Sequence, residues 1–294
     1  MGVPTETVYG LAADAENEEA VARIYSVKGR PNNHPVIVHI QSQDYIGKWA
    51  INVPIYALQL AQKYWPGPMT LILERGQIAK DFITGGQNTI GIRVPAHATT
   101  LALLREFHKL GCNGIAAPSA NRFGSVSPTN AEAVKIELGK YLDPARDMII
   151  DGGECTVGIE STIIDCTDVF PKILRPGAIS REMISSASGL EVTKVITSKI
   201  RVPGTMDQHY SPKARITLSG KVELGDGFIA LKRIETPNGG VRIASPESLD
   251  EFARILYAAF READYLGIKK VVVIPPEGDG LAIAIRDRLA RAAR

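Results

Sequence analysis

The chain has 294 residues, long enough for two domains of roughly one to two hundred residues each. Hydrophobic residues make up 45% and charged residues 22%, values of an ordinary globular protein with a real core. The formal charge of +2 excludes a strongly basic nucleic-acid coat and an acidic solvating tail, while leaving room for a local basic groove. No apolar run approaches membrane-spanning length, and Met1–Glu6 has neither the basic nor the apolar region of a signal peptide. Cys112, Cys155 and Cys166 are far apart with no CxxC, which excludes a disulfide scaffold and a Cys-rich zinc site and fits a reducing cytoplasm.

The first element in chain order is Pro4-Thr5-Glu6-Thr7-Val8-Tyr9-Gly10. Its alternating polar residues, taken alone, favour an edge strand with a solvated face. Residues 17–28 predict a helix: Asn17 caps it, Glu18 and Glu19 suit its positive end, and Val21, Ile24, Tyr25 and Lys28 keep helical spacing. Gly29 and Pro31 stop it. Strands are predicted at 35–40, 69–74, 89–94, 114–118, 148–151, 161–165 and 172–175, and helices at 54–64, 97–109 and 129–138. This alternation reads as a mixed α/β domain.

From Ser180 the pattern loosens. Residues 196–214, with Pro203, Gly204 and Pro212, read as an interdomain linker, dividing the chain into 1–195, 196–214 and 215–294. The last part predicts a small α/β unit. It has strands at 215–224, 227–232 and 269–274, and a helix starting at Ser245-Pro246 with an apolar stripe of Leu249, Phe252, Ala253, Leu256, Phe260 and Ala263. A second helix follows at 280–293.

The common catalytic signatures are absent: no P-loop, G-x-G-x-x-G, H-E-x-x-H or G-x-S-x-G occurs. Polar clusters at strand ends remain, where α/β folds bind ligands. Lys28-Gly29-Arg30-Pro31 sets two cations about a chain-reversing glycine. Convergence on one anion and simple helix capping explain it equally well. His39, inside an apolar run, reads as a core histidine by frequency. Arg93, in a strand that reads as buried, requires a carboxylate from the protein or from a substrate. Ser119-Ala120-Asn121, the Gly-rich loop Asp151–Thr162 and Arg175-Pro176-Gly177 add hydroxyls, amides and another cation without an obvious nucleophile–base pair. Together these point to a nucleotide or acidic-metabolite site.

The order PTETVYGL, KGRP, PVIVHI, IRVP, PSAN, GIESTIID and LRPG resembles the YrdC family throughout residues 3–180. Pro203–Lys213 resembles the connector of that family's two-domain synthase form, and Gly280–Leu289 its C-terminal domain. The resemblance implies a twisted, open mixed α/β sheet with a large concave cavity, followed by a small Rossmann-like domain. It also implies a reaction: L-threonine, bicarbonate and ATP give L-threonylcarbamoyl-adenylate and pyrophosphate, for modification of tRNAs that read ANN codons. By the family's pattern Lys28 and Arg30 are catalytic. Thr7, His39, Arg93, Ala117 and Ser161 form the threonine pocket. Lys28, Arg30, His34, Thr89, Ser119, Asn121, Ser127, Arg175 and Tyr210 surround ATP, with Tyr210 closing from the linker. His34 stands where the family usually has Asn, and Ala12 where glycine is commoner.

Magnesium is expected on the ATP phosphates, with no dedicated protein cage. A separate threonylcarbamoyl-transferase complex is the expected downstream partner, with only weak tRNA contact, no membrane association and a cytoplasmic location. The family normally has a helix and strand before its first motif, so a sheet lacking that strand is expected to expose an edge or rearrange. Two other readings compete: an RNA-binding module of the same fold without catalysis, against which the small net charge argues, and a carbamoyl transferase of metallocentre assembly, whose zinc-finger module has no cysteines here.

Overall fold

The computed structural model describes residues 1–193, 200–204 and 210–293. Of the linker predicted at 196–214, residues 196–199 and 205–209 lie outside the described residues. Among the described residues, eight strands form one mixed sheet in the first part of the chain. Its order runs Lys172–Arg175, Thr162–Asp165, Met69–Arg75, Thr89–Arg93, Ile37–His39, Ile115–Ala116, Ala13–Asp14, with Ala50–Ile51 added beside Met69–Arg75. Ile37–His39 is parallel to Thr89–Arg93, placing His39 directly across from Arg93.

Strand alternation sorts the two faces of this sheet. Val38, Ile90 and Ile92 enter the main core with Ile24, Trp49, Leu60 and Leu71. Ile37, His39, Gly91 and Arg93 occupy the alternate positions, and Ile37 packs there with Ile72, Ile163 and Val202.

The helix Glu18–Lys28 forms as its sequence dictates. Asn17 Oδ1 accepts from Ala20 N at 3.0 Å, and Gly29 ends the helix with φ 62°. Ile55–Tyr64, Ala98–Lys109 and Ala131–Leu138 match the other predicted helices to within a residue or two.

Several elements differ from expectation. Pro4–Tyr9 is no edge strand: it is a loop between Gly2–Val3 and Gly10–Leu11, which pair antiparallel. Its polar side chains are buried with partners: Thr5 Oγ1 donates to Val8 O at 2.6 Å and meets Thr7 Oγ1 at 2.8 Å, and Glu6 accepts from Ala96 N at 3.0 Å. The stretch 148–151 makes only a bridge between Ile149 and Gly2, and 114–118 shrinks to Ile115–Ala116. A short helix at Arg181–Ser188, capped by Ser180, lies where the pattern loosened.

The last part forms a four-stranded, all-parallel sheet in the order Arg215–Thr217, Lys270–Val273, Gly227–Ile229, Val241–Ala244. Val241–Ala244 escaped the sequence because Val241 is exposed and the other three residues are only partly buried. The long helix starts at Leu249, not at Ser245-Pro246. Ser248 caps it by accepting from Glu251 N at 3.1 Å, while Glu251 reaches back to Glu247 N at 2.7 Å. That reciprocal cap outcompetes a proline at the first turn. The predicted stripe is buried except for Leu249, which is partly buried. Leu281–Ala292 forms the final helix. One apolar cluster joins Phe252, Leu256, Phe260 and Ile285, on the two helices of the last part, to the loop residues Val8, Val126 and Ile159 of the first part. Among the described residues no helix is long and apolar enough to cross a membrane.

Candidate active site

A cavity opens on the sheet face that carries His39 and Arg93, beneath residues 201–204 and Tyr210. Its lining includes Thr7, His39, Arg93, Ala117 and Ser161, and also Lys28, Arg30, His34, Ser119, Asn121, Arg175 and Tyr210. The structure therefore brings together the residues of both predicted groups, with two exceptions. Thr89 lies outside the lining, at the strand end opposite Glu74. Ser127 stands behind the wall, donating to Glu160 Oε1 at 2.6 Å.

Arg93 finds its carboxylate within the protein. Its Nη2 lies 2.6 Å from Glu6 Oε1, Nη1 donates to Thr7 Oγ1 at 2.9 Å, and Nε donates to Gly67 O at 3.1 Å. Glu6 is held from its other side by Ala96 N at 3.0 Å. The loop reading of Pro4–Tyr9 thus has a functional consequence, since a solvated edge strand could not bring Glu6 and Thr7 to a buried guanidinium. Beside it His39 is neutral: burial, reinforced by the Arg93 charge, lowers its pKa to about 3. Ser161 Oγ bonds Thr70 Oγ1 at 2.8 Å on the same face.

The Lys28 and Arg30 pair also resolves. Lys28 donates from Nζ to Ser119 O at 2.5 Å and Asn121 O at 2.6 Å, away from its own helix terminus. Burial, with Arg30 adding to it, drives the Lys28 pKa well below the ordinary lysine value. Arg30 donates to Pro35 O at 2.7 Å, and burial lowers its pKa to about 10. Gly29 makes this turn possible: its φ is positive, and a Cβ there would overlap the Arg122 guanidinium. Among the described residues, the buried lining atoms Arg30 Nε and Asn121 Oδ1 meet no hydrogen-bond partner. Such groups are costly unless a ligand or water meets them.

Arg175 donates to Ser161 O and Ser161 Oγ, each at 3.1 Å, and to Pro203 O at 2.8 Å. Arg201 ties the covering segment down by donating to Asn33 O at 2.9 Å and Gly85 O at 2.7 Å. Phe123 meets the His34 ring edge-on at 5.5 Å. Glu160 is the lining's carboxylate among the described residues. Burial alone would raise its pKa, but Arg288 and Arg175 outweigh that and hold it at about 2.

Sequence reasoning did not single out Glu160, Phe123 or Arg201 for the site. The signal for Glu160 was its place in the Gly-rich loop, because Arg288 and Tyr257, which hold it, come from the far end of the chain. The lining is thus strongly cationic, with hydroxyls and carbonyls between the charges and, among the described residues, no nucleophile–base pair. Such a surface gathers and aligns anions, screening their mutual repulsion. Among the described residues, no group of three or more His, Cys, Asp or Glu side chains could hold a metal ion.

Comparison with known proteins agrees with this geometry. A family model described as telomere recombination, Sua5/YciO/YrdC, matches residues 1–177, and one described as the threonylcarbamoyl-AMP synthase C-terminal domain matches residues 179–294. The chain is 36% identical to a threonylcarbamoyl-AMP synthase of Pyrococcus abyssi, over 99% of this chain and 89% of the relative. It is 35% identical to a protein of the same name from Bacillus subtilis, over 100% and 89%. The crystal structure of P. abyssi Sua5 complexed with L-threonine superimposes with a TM-score of 0.85 at 35% identity, covering 99% of this chain and 89% of that one. With its cavity and with matches along both parts of its length, the chain belongs to the Sua5/YciO/YrdC family, in the two-domain form that carries the synthase C-terminal domain.

Proposed function

We propose that this protein is an enzyme that makes L-threonylcarbamoyl-adenylate from L-threonine, bicarbonate and ATP, releasing pyrophosphate, for the threonylcarbamoyladenosine modification of tRNAs that read ANN codons. The observation that carries the reading is that buried Arg93, flanked by Thr7, His39 and Ser161, faces the same cavity as Lys28, Arg30 and Arg175. Full-length relatives named for this activity support catalysis over an RNA-binding module without chemistry.

In this reading Arg93 receives the threonine carboxylate, and Thr7, His39, Ala117 and Ser161 enclose the rest of the amino acid. Neutral His39 adds no charge to compete with the amine. The threonine nitrogen attacks the carbon of bicarbonate, or of CO2 derived from it, forming an N–C bond to give a carbamate, with water lost when bicarbonate is the source. A carbamate oxygen then attacks the α-phosphorus of ATP, and the bond to the β-phosphate bridging oxygen breaks, so pyrophosphate leaves with its electron pair. This is a nucleotidyl transfer whose nucleophile belongs to the substrate, so the protein needs no catalytic serine or cysteine.

Lys28 and Arg30 serve as the catalytic cations, screening carbamate and phosphate from each other. His34, Ser119, Asn121, Arg175 and Tyr210 bind the nucleotide, and the unpaired Arg30 Nε and Asn121 Oδ1 are completed by it. Thr89 and Ser127 would reach ATP only if the cavity walls shifted on binding. Magnesium would arrive on the ATP phosphates, because the lining offers it cations and a carboxylate already paired with Arg288. Residues 196–214 act as a lid joining a catalytic part, 1–195, to a supporting part, 215–294, and they shield the hydrolysable mixed anhydride from water. The product passes to a separate transferase complex in the cytoplasm, with only weak tRNA contact by this chain.

The test is pyrophosphate release by purified protein, omitting ATP, L-threonine or bicarbonate one at a time. Release that needs all three supports the reading. Release without threonine, or tight salt-dependent tRNA binding with no release, overturns it.

A further inference from the structure

Arg288 comes from the last helix, Leu281–Ala292, yet it is 0% exposed and ends beside the cavity wall. It donates from Nε to Glu160 Oε2 at 2.8 Å, and from Nη2 to Glu160 O at 3.3 Å and Pro176 O at 3.0 Å. Its Nη1 donates to Asp287 Oδ2 at 2.6 Å. Tyr257, on the other helix of the second sheet, donates to the same Glu160 Oε2 at 2.9 Å, while Ser127 occupies Oε1. The carboxylate is thus fully engaged on the side facing the second sheet.

Arg175 presents the opposite case. It lines the cavity and, among the described residues, donates only to uncharged oxygens, those of Ser161 and Pro203. Glu160 precedes Ser161 in the chain, so a buried carboxylate and a buried guanidinium lie next to each other without pairing. A buried carboxylate does not remain without a counter-cation. Deprived of Arg288, Glu160, already in the lining, would take Arg175 as its counter-charge and so cancel a cation where phosphates are to bind.

We propose that Arg288 is a positioning residue: by holding Glu160 toward the second domain it keeps Arg175 available to phosphate oxygens of the nucleotide. The second domain thereby sets the charge of a cavity built by the first. This inference rests on the proposed reaction for the identity of the phosphate ligand.

The experiment measures dissociation constants of ATP and of L-threonine separately, by calorimetric titration of the full chain, for wild type, Arg288→Gln and Arg288→Gln with Glu160→Gln. Arg288→Gln weakens ATP by about tenfold or more while L-threonine stays within about twofold. Adding Glu160→Gln removes the charge that captures Arg175 and returns ATP affinity to within about threefold of wild type.

Equal weakening of both ligands, or a double variant no better than the single one, overturns the proposal in favour of simple packing. If Arg288→Gln does not fold, Tyr257→Phe keeps the ring and removes one bond to Glu160. Its expected effect is an ATP affinity lower by about two- to fivefold with L-threonine unchanged, and unchanged ATP affinity overturns the proposal. A wild-type chain that binds ATP but releases no pyrophosphate overturns the reaction and leaves the Arg288 comparison decisive. A wild-type chain that binds no ATP overturns both.

Discussion

Arg93 and Glu6 stand 2.6 Å apart, both almost wholly buried, one from the middle of the sheet and the other from the loop after the first short strand. The pair holds a cation under the cavity before any substrate arrives, with Thr7 and Gly67 setting the plane of the guanidinium. We predict that Arg93→Ala loses L-threonine binding by about a hundredfold or more and destabilises the fold by about 3–5 kcal/mol, because Glu6 is left as an uncompensated buried charge. Calorimetric titration with threonine and urea unfolding check the two halves separately. Threonine affinity preserved in a folded Arg93→Ala protein would remove Arg93 from the pocket.

Lys28 grips the Ser119 and Asn121 carbonyls, so it shapes the nucleotide side of the cavity as well as charging it. Lys28→Met keeps the aliphatic stem and removes the charge. The predicted outcome is a fall in kcat for pyrophosphate release of about a hundredfold or more, with threonine affinity little changed. A loss confined to threonine affinity would contradict the role assigned to Lys28.

His39 supplies a pH prediction. Burial first, then Arg93, lowers its folded-state pKa to about 3 from the ordinary 6.5. The unfolded chain therefore binds a proton that the folded chain refuses. Stability is lost as pH falls through 6.5, and the loss continues down to about 3. Between pH 7 and pH 5 this group alone removes about 2 kcal/mol. His39→Asn, which cannot titrate, is predicted to lose correspondingly less stability over the same interval. Urea midpoints at the two pH values decide the matter, and identical pH slopes for wild type and variant would count against a neutral, buried His39.

Gly158 sits where a loop of the first part meets the helix starting at Leu249. Its φ is +81°, and a Cβ there would overlap the backbone of Arg254 on the long helix. Both the conformation and the contact penalise a side chain. Gly158→Ala is predicted to destabilise the protein by about 2–4 kcal/mol, seen as a lowered Tm. An unchanged Tm would mean that the junction is looser than its packing implies.

The elements legible in the residues are those whose causes are local. The helix Glu18–Lys28 follows from its Asn17 cap, its apolar spacing and Gly29, and the strands Met69–Arg75 and Thr89–Arg93 from their apolar runs. The order of polar motifs identified the family, since it needs no knowledge of contacts. The cap at Ser248 shows the boundary of local reasoning, because two adjacent cap signals compete and the reciprocal Glu251 contact decides between them.

The partners of buried charges belong to the tertiary structure. Nothing near Arg93 in sequence announces Glu6, and Glu160 finds Arg288 across 128 residues. A buried ion requires a counter-charge, a demand readable from one strand. Which residue meets that demand depends on how loops and domains close over the sheet. Pro4–Tyr9 illustrates the difference. Its alternation described a solvated edge as well as a buried loop, and only the closure around Arg93 chose between them, because burial is a property of the neighbours a segment acquires.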